Sequence, residues 1–253
     1  MTLYIIGIGL NDVKDITVKG LEAVKLCDII YLENYTSLLQ CSFEDLEQFY
    51  GKKLILSDRN QSEQGSIKII KQAKDKNVAF LVVGDSLGAT THIEIFKEAK
   101  EANVEVKIIH NASVLTAVGV VGLQLYNYGK TASVPYLDDF PELETPYNIL
   151  ENNQKYGMHT LFLLDIKVPK DRFMTVGEGL FVLEDIEKRK GKKLISDETF
   201  VIGCARLGAN DQLIKSGKLK DIKGIDFGAP PHCLIIPGKM HFLEEEMVEL
   251  WRK

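Results

Sequence analysis

The residues able to do chemistry in this chain lie in short stretches that follow apolar runs. They are GIGLND (Gly7–Asp12), GDSLGATTH (Gly84–His92), HNAS (His110–Ser113), Asp165 in LLDIKV, and Arg206, Asn210, Asp211 and His232 in CARLGAND and PPHC. Glycines at such positions let backbone approach a ligand closely, and Asp85 can accept hydrogen bonds from an amine or a hydroxyl. Thr90 and Thr91 read as the cap of a following helix. Taken singly, an aspartate after a strand more often caps the next helix, and a histidine beside a strand more often packs. Their recurrence at the ends of several apolar runs is what points to a ligand-binding edge.

Several chemistries are excluded by spacing. In GIGLND, Gly7 and Gly9 match the first two positions of a dinucleotide fingerprint and Glu33 stands where a ribose-binding acid belongs, but Asp12 replaces the third glycine. No Walker A loop occurs. The histidines, His92, His110, His159, His232 and His241, include no H-x-x-x-H pair, and Cys27, Cys41, Cys204 and Cys233 form no C-x-x-C, so no metal site is expected. The first loop is a tight turn at the carboxyl end of a strand, where it either meets a ligand or only turns the chain.

These loops need a scaffold, and the pattern supplies one. Runs rich in valine and isoleucine (LYIIGIG, DIIYLEN, KLILS, VAFLVVG, VEVKIIH) alternate with segments of helical period (VKGLEAVKLC, SIKIIKQAKDK, HIEIFKEAKEA). Consecutive apolar positions mean strands buried on both faces, which implies an α/β fold with a mostly parallel sheet under helices. Glycines and small residues in NASVLTAVGVVGLQLY interrupt the rhythm and suggest two αβα domains with mostly parallel or mixed sheets, residues 1–111 and 112–253. Beyond them the alternation resumes with TASVPY, a helix near Pro146 to Tyr156, HTLFLLDIKV, VGEGLFVLEDIEKRK, TFVIGCAR, HCLIIPG and the terminal MHFLEEEMVELWRK.

Composition sets the outer limits. The 253 residues are 45% hydrophobic and 26% charged, far from the disordered regime. A net charge of −5 argues against a nucleic-acid binder acting through a broad basic face. The one basic cluster, KRKGKK (Lys188–Lys193), reads as a solvated helix end. Scattered cysteines fit a reducing cytoplasm, and no apolar run is long enough to span a membrane.

Beyond these general readings, LYIIGIGLNDVKDITVKGLEAV, YLENYTSLL, VVGDSLGATTH, IIHNASVLTAVGVVGLQLYNYGKT, GMHTLFLLDIKV and RFMTV, in this order, closely resemble the diphthine synthase family. That family belongs to the tetrapyrrole-methylase-like S-adenosylmethionine methyltransferases. The resemblance implies a homodimer of two-domain αβα chains that hold S-adenosyl-L-methionine in the cleft between domains and release S-adenosyl-L-homocysteine. It also implies the substrate, translation elongation factor 2, whose modified histidine carries a 3-amino-3-carboxypropyl arm that is methylated on its amine, and in some members also on its carboxylate. Same-fold enzymes acting on a corrin precursor or on ribosomal RNA, and a non-catalytic nucleoside-binding module, are the rival readings.

The positions that match the family's cofactor contacts are Leu10, Asp85, Gly88, Ser113, Val114, Leu164, Leu207 and His232. Several are apolar or small, so their backbone groups matter more than their side chains. No obligatory nucleophile is expected; Asp165 and His110 are the candidates for taking a proton from the acceptor amine. The chain departs from the family pattern at Asn11, at Ser86 where proline is common, in the short segment Pro169–Asp171, and at Tyr136 and Leu137.

Overall fold

A computed structural model of the chain describes residues 1–33, 35, 37–57, 62–90 and 92–252. Two compact units emerge, Met1–Ala117 and Val118–Lys253. The junction expected after residue 111 precedes this division by one short helix.

In the first unit each apolar run becomes a strand: β1 (Thr2–Gly7), β2 (Ile29–Glu33), β3 (Ile55–Ser57), β4 (Val78–Val82) and β5 (Glu105–Ile109). They form a wholly parallel sheet in the order β3-β2-β4-β1-β5. Side chains alternate across it. Ile6, Ile30, Leu32, Ala79 and Leu81 pack on α1 (Val18–Leu26) and α2 (Phe43–Tyr50). Leu3, Ile5, Val78, Phe80 and Val82 pack on α3 (Ser62–Ala73) and α4 (Ile93–Glu101). The α2 segment escaped the sequence reading although Ser42 and Asp45 form a capping box and Gly51 ends it in the left-handed conformation. A four-residue turn of helix, α5 (Val114–Ala117), closes the unit.

The second unit contains β6 (Ala132–Val134), α6 (Thr145–Lys155), β7 (Thr160–Leu164), a small hairpin of β8 (Ile166–Lys167) and β9 (Arg172–Phe173), α7 (Val176–Lys190), β10 (Phe200–Ala205), β11 (Leu213–Lys218), α8 (Leu219–Ile222), β12 (His232–Ile236) and α9 (Phe242–Glu249). Its main sheet runs β11-β10-β12-β7-β6, and only the β6–β7 pair is parallel. Both-face burial therefore does not fix strand direction here. Every residue of β12 is buried, yet the strand is antiparallel to both neighbours, because helices cover this sheet without each one linking parallel strands. The edge strand β11 was missed because its polar sequence, LIKSGK, buries only part of one side. The core gathers Phe162 and Leu164 of β7, Leu234 of β12, and Leu180, Leu183 and Ile186 of α7. The basic cluster ends α7 at Gly191, with Lys190 and Lys192 paired to Glu144 and Glu151. Among the described residues, no helix is long and apolar enough to cross a membrane.

Candidate functional site

In the first unit the loops that leave β1, β4 and β5 meet at the carboxyl edge of the sheet. Gly9 and Gly84 pair as an isolated bridge, each donating its amide to the other's carbonyl at 3.2 and 2.7 Å. Gly9 has φ +87°, and a Cβ there would stand 2.2 Å from the Asp15 Cβ, so only glycine fits. Asp15 receives the amides of Leu10 and Asn11 at 3.1 and 2.7 Å. The Leu10 N–H is thus already spent, leaving its carbonyl and side chain for a ligand. Asp12, which spoils the third glycine of the dinucleotide pattern, caps the short turn Val13–Asp15 through the Lys14 amide. The helix that a dinucleotide's phosphates would need does not start there.

Asp85 joins the loops. Its Oδ1 accepts the amides of Leu87 and Gly88, both at 2.9 Å; its Oδ2 accepts the Asn111 amide at 2.9 Å and faces the His110 Nδ1 at 3.0 Å. Burial pushes its carboxyl up, but the Leu87 and Asn111 amides and His110 outweigh burial and hold it below the usual carboxylate range. A carboxylate offers about four lone-pair positions, and here all are taken by protein. Asp85 therefore shapes the loops. Because an ionised carboxylate only accepts, His110 carries its proton on Nδ1, which leaves Nε2 as an acceptor on a side chain that is 70% exposed.

Asn111 completes the clasp with a side-chain amide that donates to the carbonyls of Gly7 and Asp15, both at 3.0 Å. Gly88 lies flat on Ser113, where an added Cβ would stand 2.9 Å from the serine Oγ. Ser113 is buried and its Oγ accepts the Leu115 amide, so it caps α5, with half-buried Val114 as the first helical residue. Thr90 Oγ1 accepts the His92 amide at 3.4 Å but His92 itself stands at the α4 cap, without a side-chain cap bond; Thr91 lies outside the described residues. His92 is buried against Phe80 and beside the Tyr35 hydroxyl, and burial holds its imidazole down to about 4.

The second unit places its candidates at two points. After β10, Arg206 adopts the left-handed conformation (φ +51°) and fills its guanidinium with Asp211 and the carbonyls of Phe227 and Ala229. Its amide donates to Pro231 at 2.9 Å, which sets buried Leu207 beside the start of β12. There His232 Nε2 lies 3.1 Å from the carbonyls of both Gly228 and Ala229. Carbonyls only accept, so Nε2 bears the hydrogen and Nδ1 is a bare acceptor. That Nδ1 is buried with no partner among the described residues. Burial, the largest influence, holds the imidazole below its ordinary value and keeps it neutral. Asn210 is exposed and takes no part.

At the end of β7, the Leu164 side chain packs into the core over Gly179 of α7, so only its backbone could serve a ligand. Asp165 accepts the Ile166 amide at 3.0 Å and the Tyr136 amide at 3.5 Å. Asp15 and Asn111 are the residues sequence reasoning missed. Asn111 was visible as part of HNAS, whereas nothing local marks Asp15. Among the described residues no cluster of His, Cys, Asp or Glu could hold a metal.

Comparison with known proteins identifies the family and the fold. The sequence profile of the Tetrapyrrole (Corrin/Porphyrin) Methylases family matches residues 2–223. The chain is 45% identical over 269 residues to a diphthine methyl ester synthase of Dictyostelium discoideum, covering 100% of this chain and 98% of that protein. It is 44% identical over 250 residues to a diphthine synthase of Methanococcus maripaludis strain C5, covering 98% and 97%. A crystal structure of diphthine synthase superposes with a TM-score of 0.91 at 38% identity, covering 100% of this chain and 96% of that one. The chain belongs to the tetrapyrrole (corrin/porphyrin) methylase family and, within it, to the diphthine synthases, which are methyltransferases.

Proposed function

We propose that the protein methylates, from S-adenosyl-L-methionine, the amine of the 3-amino-3-carboxypropyl histidine on translation elongation factor 2, a step of diphthamide biosynthesis in the cytoplasm. Full-length similarity to diphthine synthases in both sequence and fold carries this reading. The residues fit the cofactor. His232 Nδ1 is a buried acceptor without a donor, and the cofactor's amines and hydroxyls are donors. The glycine loops offer close backbone approach without a phosphate cradle, and the cofactor has no phosphate. Leu10, Asp85, Gly88, Ser113, Val114, Leu164, Leu207 and His232 are the residues assigned to it.

Bound there, the cofactor supplies a methyl group on a sulfonium, already activated by its leaving group. The chain's task is then positioning, which can contribute roughly 7 to 11 kcal/mol for well-oriented reactants. Asp85 holds the three loops in register and fixes the His110 tautomer, so that the imidazole Nε2 can take the proton each new C–N bond displaces. Asp165 is the second candidate for that proton, and the chain works as a homodimer.

The test is to incubate the purified protein with S-adenosyl-L-methionine and elongation factor from cells lacking this step, then weigh the modified peptide before and after mild alkali. Methyl groups that survive alkali report the amine, and alkali-labile ones the carboxylate. Cofactor binding with no mass gain would overturn the reading. Turnover left normal in both His110→Ala and Asp165→Asn would exclude these two as proton acceptors, and sedimentation would settle the dimer.

A further inference from the structure

Two of the departures from the family pattern, Tyr136 and the segment around Pro169–Asp171, are far apart in sequence and come together in space. Tyr136 follows β6 and is 4% exposed. The β8–β9 hairpin lays the Arg172 guanidinium on its ring, 3.7 Å from the centroid, and sets the Lys167 ammonium 4.8 Å from it. Two cations thus converge on one aromatic ring. Their counter-ions come from a single exposed turn that Tyr136 itself closes by accepting the Asp139 amide: Asp138 pairs with Arg172 at 2.7 Å, and Asp139 pairs with Lys167. The platform already holds carboxylates.

The Tyr136 hydroxyl is buried beside the Arg172 guanidinium, which can only donate, and no acceptor for its hydrogen is found among the described residues. Burial pushes it up to about 12, so it stays protonated and is a donor in want of an acceptor. The Tyr136 amide lies 3.5 Å from the Asp165 carboxylate, which places the platform at the carboxyl edge of β6 and β7, where α/β sheets take ligands.

We propose that Tyr136, Lys167 and Arg172 form the subsite for the acceptor's carboxylate, one arm oxygen exchanging with the Asp138 and Asp139 carboxylates and meeting the Tyr136 hydroxyl. The proposal rests on the function inferred above, because the 3-amino-3-carboxypropyl arm is what brings a carboxylate next to the reacting amine. It makes Tyr136, Lys167 and Arg172 specificity determinants, since an uncharged arm could not replace Asp138 and Asp139 on the two cations and would gain only the Tyr136 hydroxyl.

The test uses steady-state kinetics on elongation factor 2 bearing the unmethylated arm, and on the same factor with the arm's carboxylate converted to the amide. The wild-type protein is expected to prefer the carboxylate roughly tenfold or more, the scale of one charge-assisted hydrogen bond. Arg172→Gln and Tyr136→Phe should each raise KM for the carboxylate form several-fold and shrink that preference. Calorimetric affinity for S-adenosyl-L-homocysteine and the melting temperature should hold in both variants. Equal turnover of acid and amide by the wild-type protein would overturn the assignment, as would folded variants with unchanged KM. Acetate competing as well as the modified factor would make this a general carboxylate pocket and also overturn it. If the wild-type protein methylates neither form, it is the proposed function that fails.

Discussion

The carboxyl edges of the two sheets use polar residues in opposite ways. In the first unit the polar side chains that join the loops are spent on the protein itself: Asp85 accepts four contacts, Asp15 receives two amides, and Asn111 donates to two carbonyls. In the second unit the fold leaves polar atoms buried and unspent, His232 Nδ1 and the Tyr136 hydroxyl among them. The first edge offers shape, a backbone surface fixed by internal hydrogen bonds, and the second offers chemical recognition. An unpaired buried donor or acceptor costs about 1–3 kcal/mol, so such atoms mark where a ligand is expected. Unpaired buried atoms also occur in the first unit, at Ser86 Oγ, His92 Nδ1, the Tyr50 hydroxyl and Glu98 Oε2, so the contrast lies in the clasp of Asp85, Asp15 and Asn111 and not in the number of unpaired atoms.

The sharpest way to break this contrast is to remove a carboxylate from each edge. Asp85→Ala strands three backbone amides and should cost about 4 kcal/mol in chemical denaturation, together with tenfold or greater weakening of S-adenosyl-L-homocysteine binding. Asp165→Ala, at a site with two amides, should cost about 1 kcal/mol. Equal losses would mean the first edge is no more tightly organised than the second. Next, Gly9→Ala combines a positive φ with a Cβ overlap against Asp15, and should lower stability by about 3 kcal/mol by the same measurement.

A smaller effect should come from pH. His92 has a folded value near 4, below the ordinary 6.5, so between these limits the unfolded chain binds the proton more readily. Its contribution is fully present above pH 6.5 and is lost as pH falls toward 4; from pH 7 to pH 5 the loss is about 2 kcal/mol. Denaturation of wild type and His92→Phe across this range isolates it, because the variant lacks the slope. A still smaller effect than that of pH sharpens the other side of the comparison. His232→Phe keeps the ring against Phe227 but removes the bare acceptor together with the Nε2–H donated to Gly228 and Ala229, and should weaken S-adenosyl-L-homocysteine binding about tenfold, or about 1.4 kcal/mol, while lowering the melting temperature by only a few degrees. A large melting shift with unchanged affinity would make His232 a core residue instead.

The sequence was most informative where periodicity is strong. The parallel sheet of the first unit follows from valine- and isoleucine-rich runs alternating with helical periods, and the resemblance rests on motifs in order along both units. It misled where one signal served two arrangements. Apolar runs such as HCLII are buried on both faces whether the neighbouring strand is parallel or antiparallel, so β12 could not reveal its direction. GIGLND shows the same division. The glycines announced a turn close to another backbone, but only the fold shows that the space beside Gly9 is filled by Asp15 and that the Leu10 amide is already bonded.

What the sequence determined by itself is therefore the set of local preferences: which segments are strands, which are helices, where glycine frees the backbone, and which family the motifs resemble. Only the tertiary structure decided which polar atoms are satisfied. Hydrogen-bond partners such as Asp85 and Asn111, or ring and guanidinium such as Tyr136 and Arg172, are separated by tens of residues, and no periodicity couples them. Satisfaction is a property of neighbours in space, and the chain acquires those neighbours only when its sheets form.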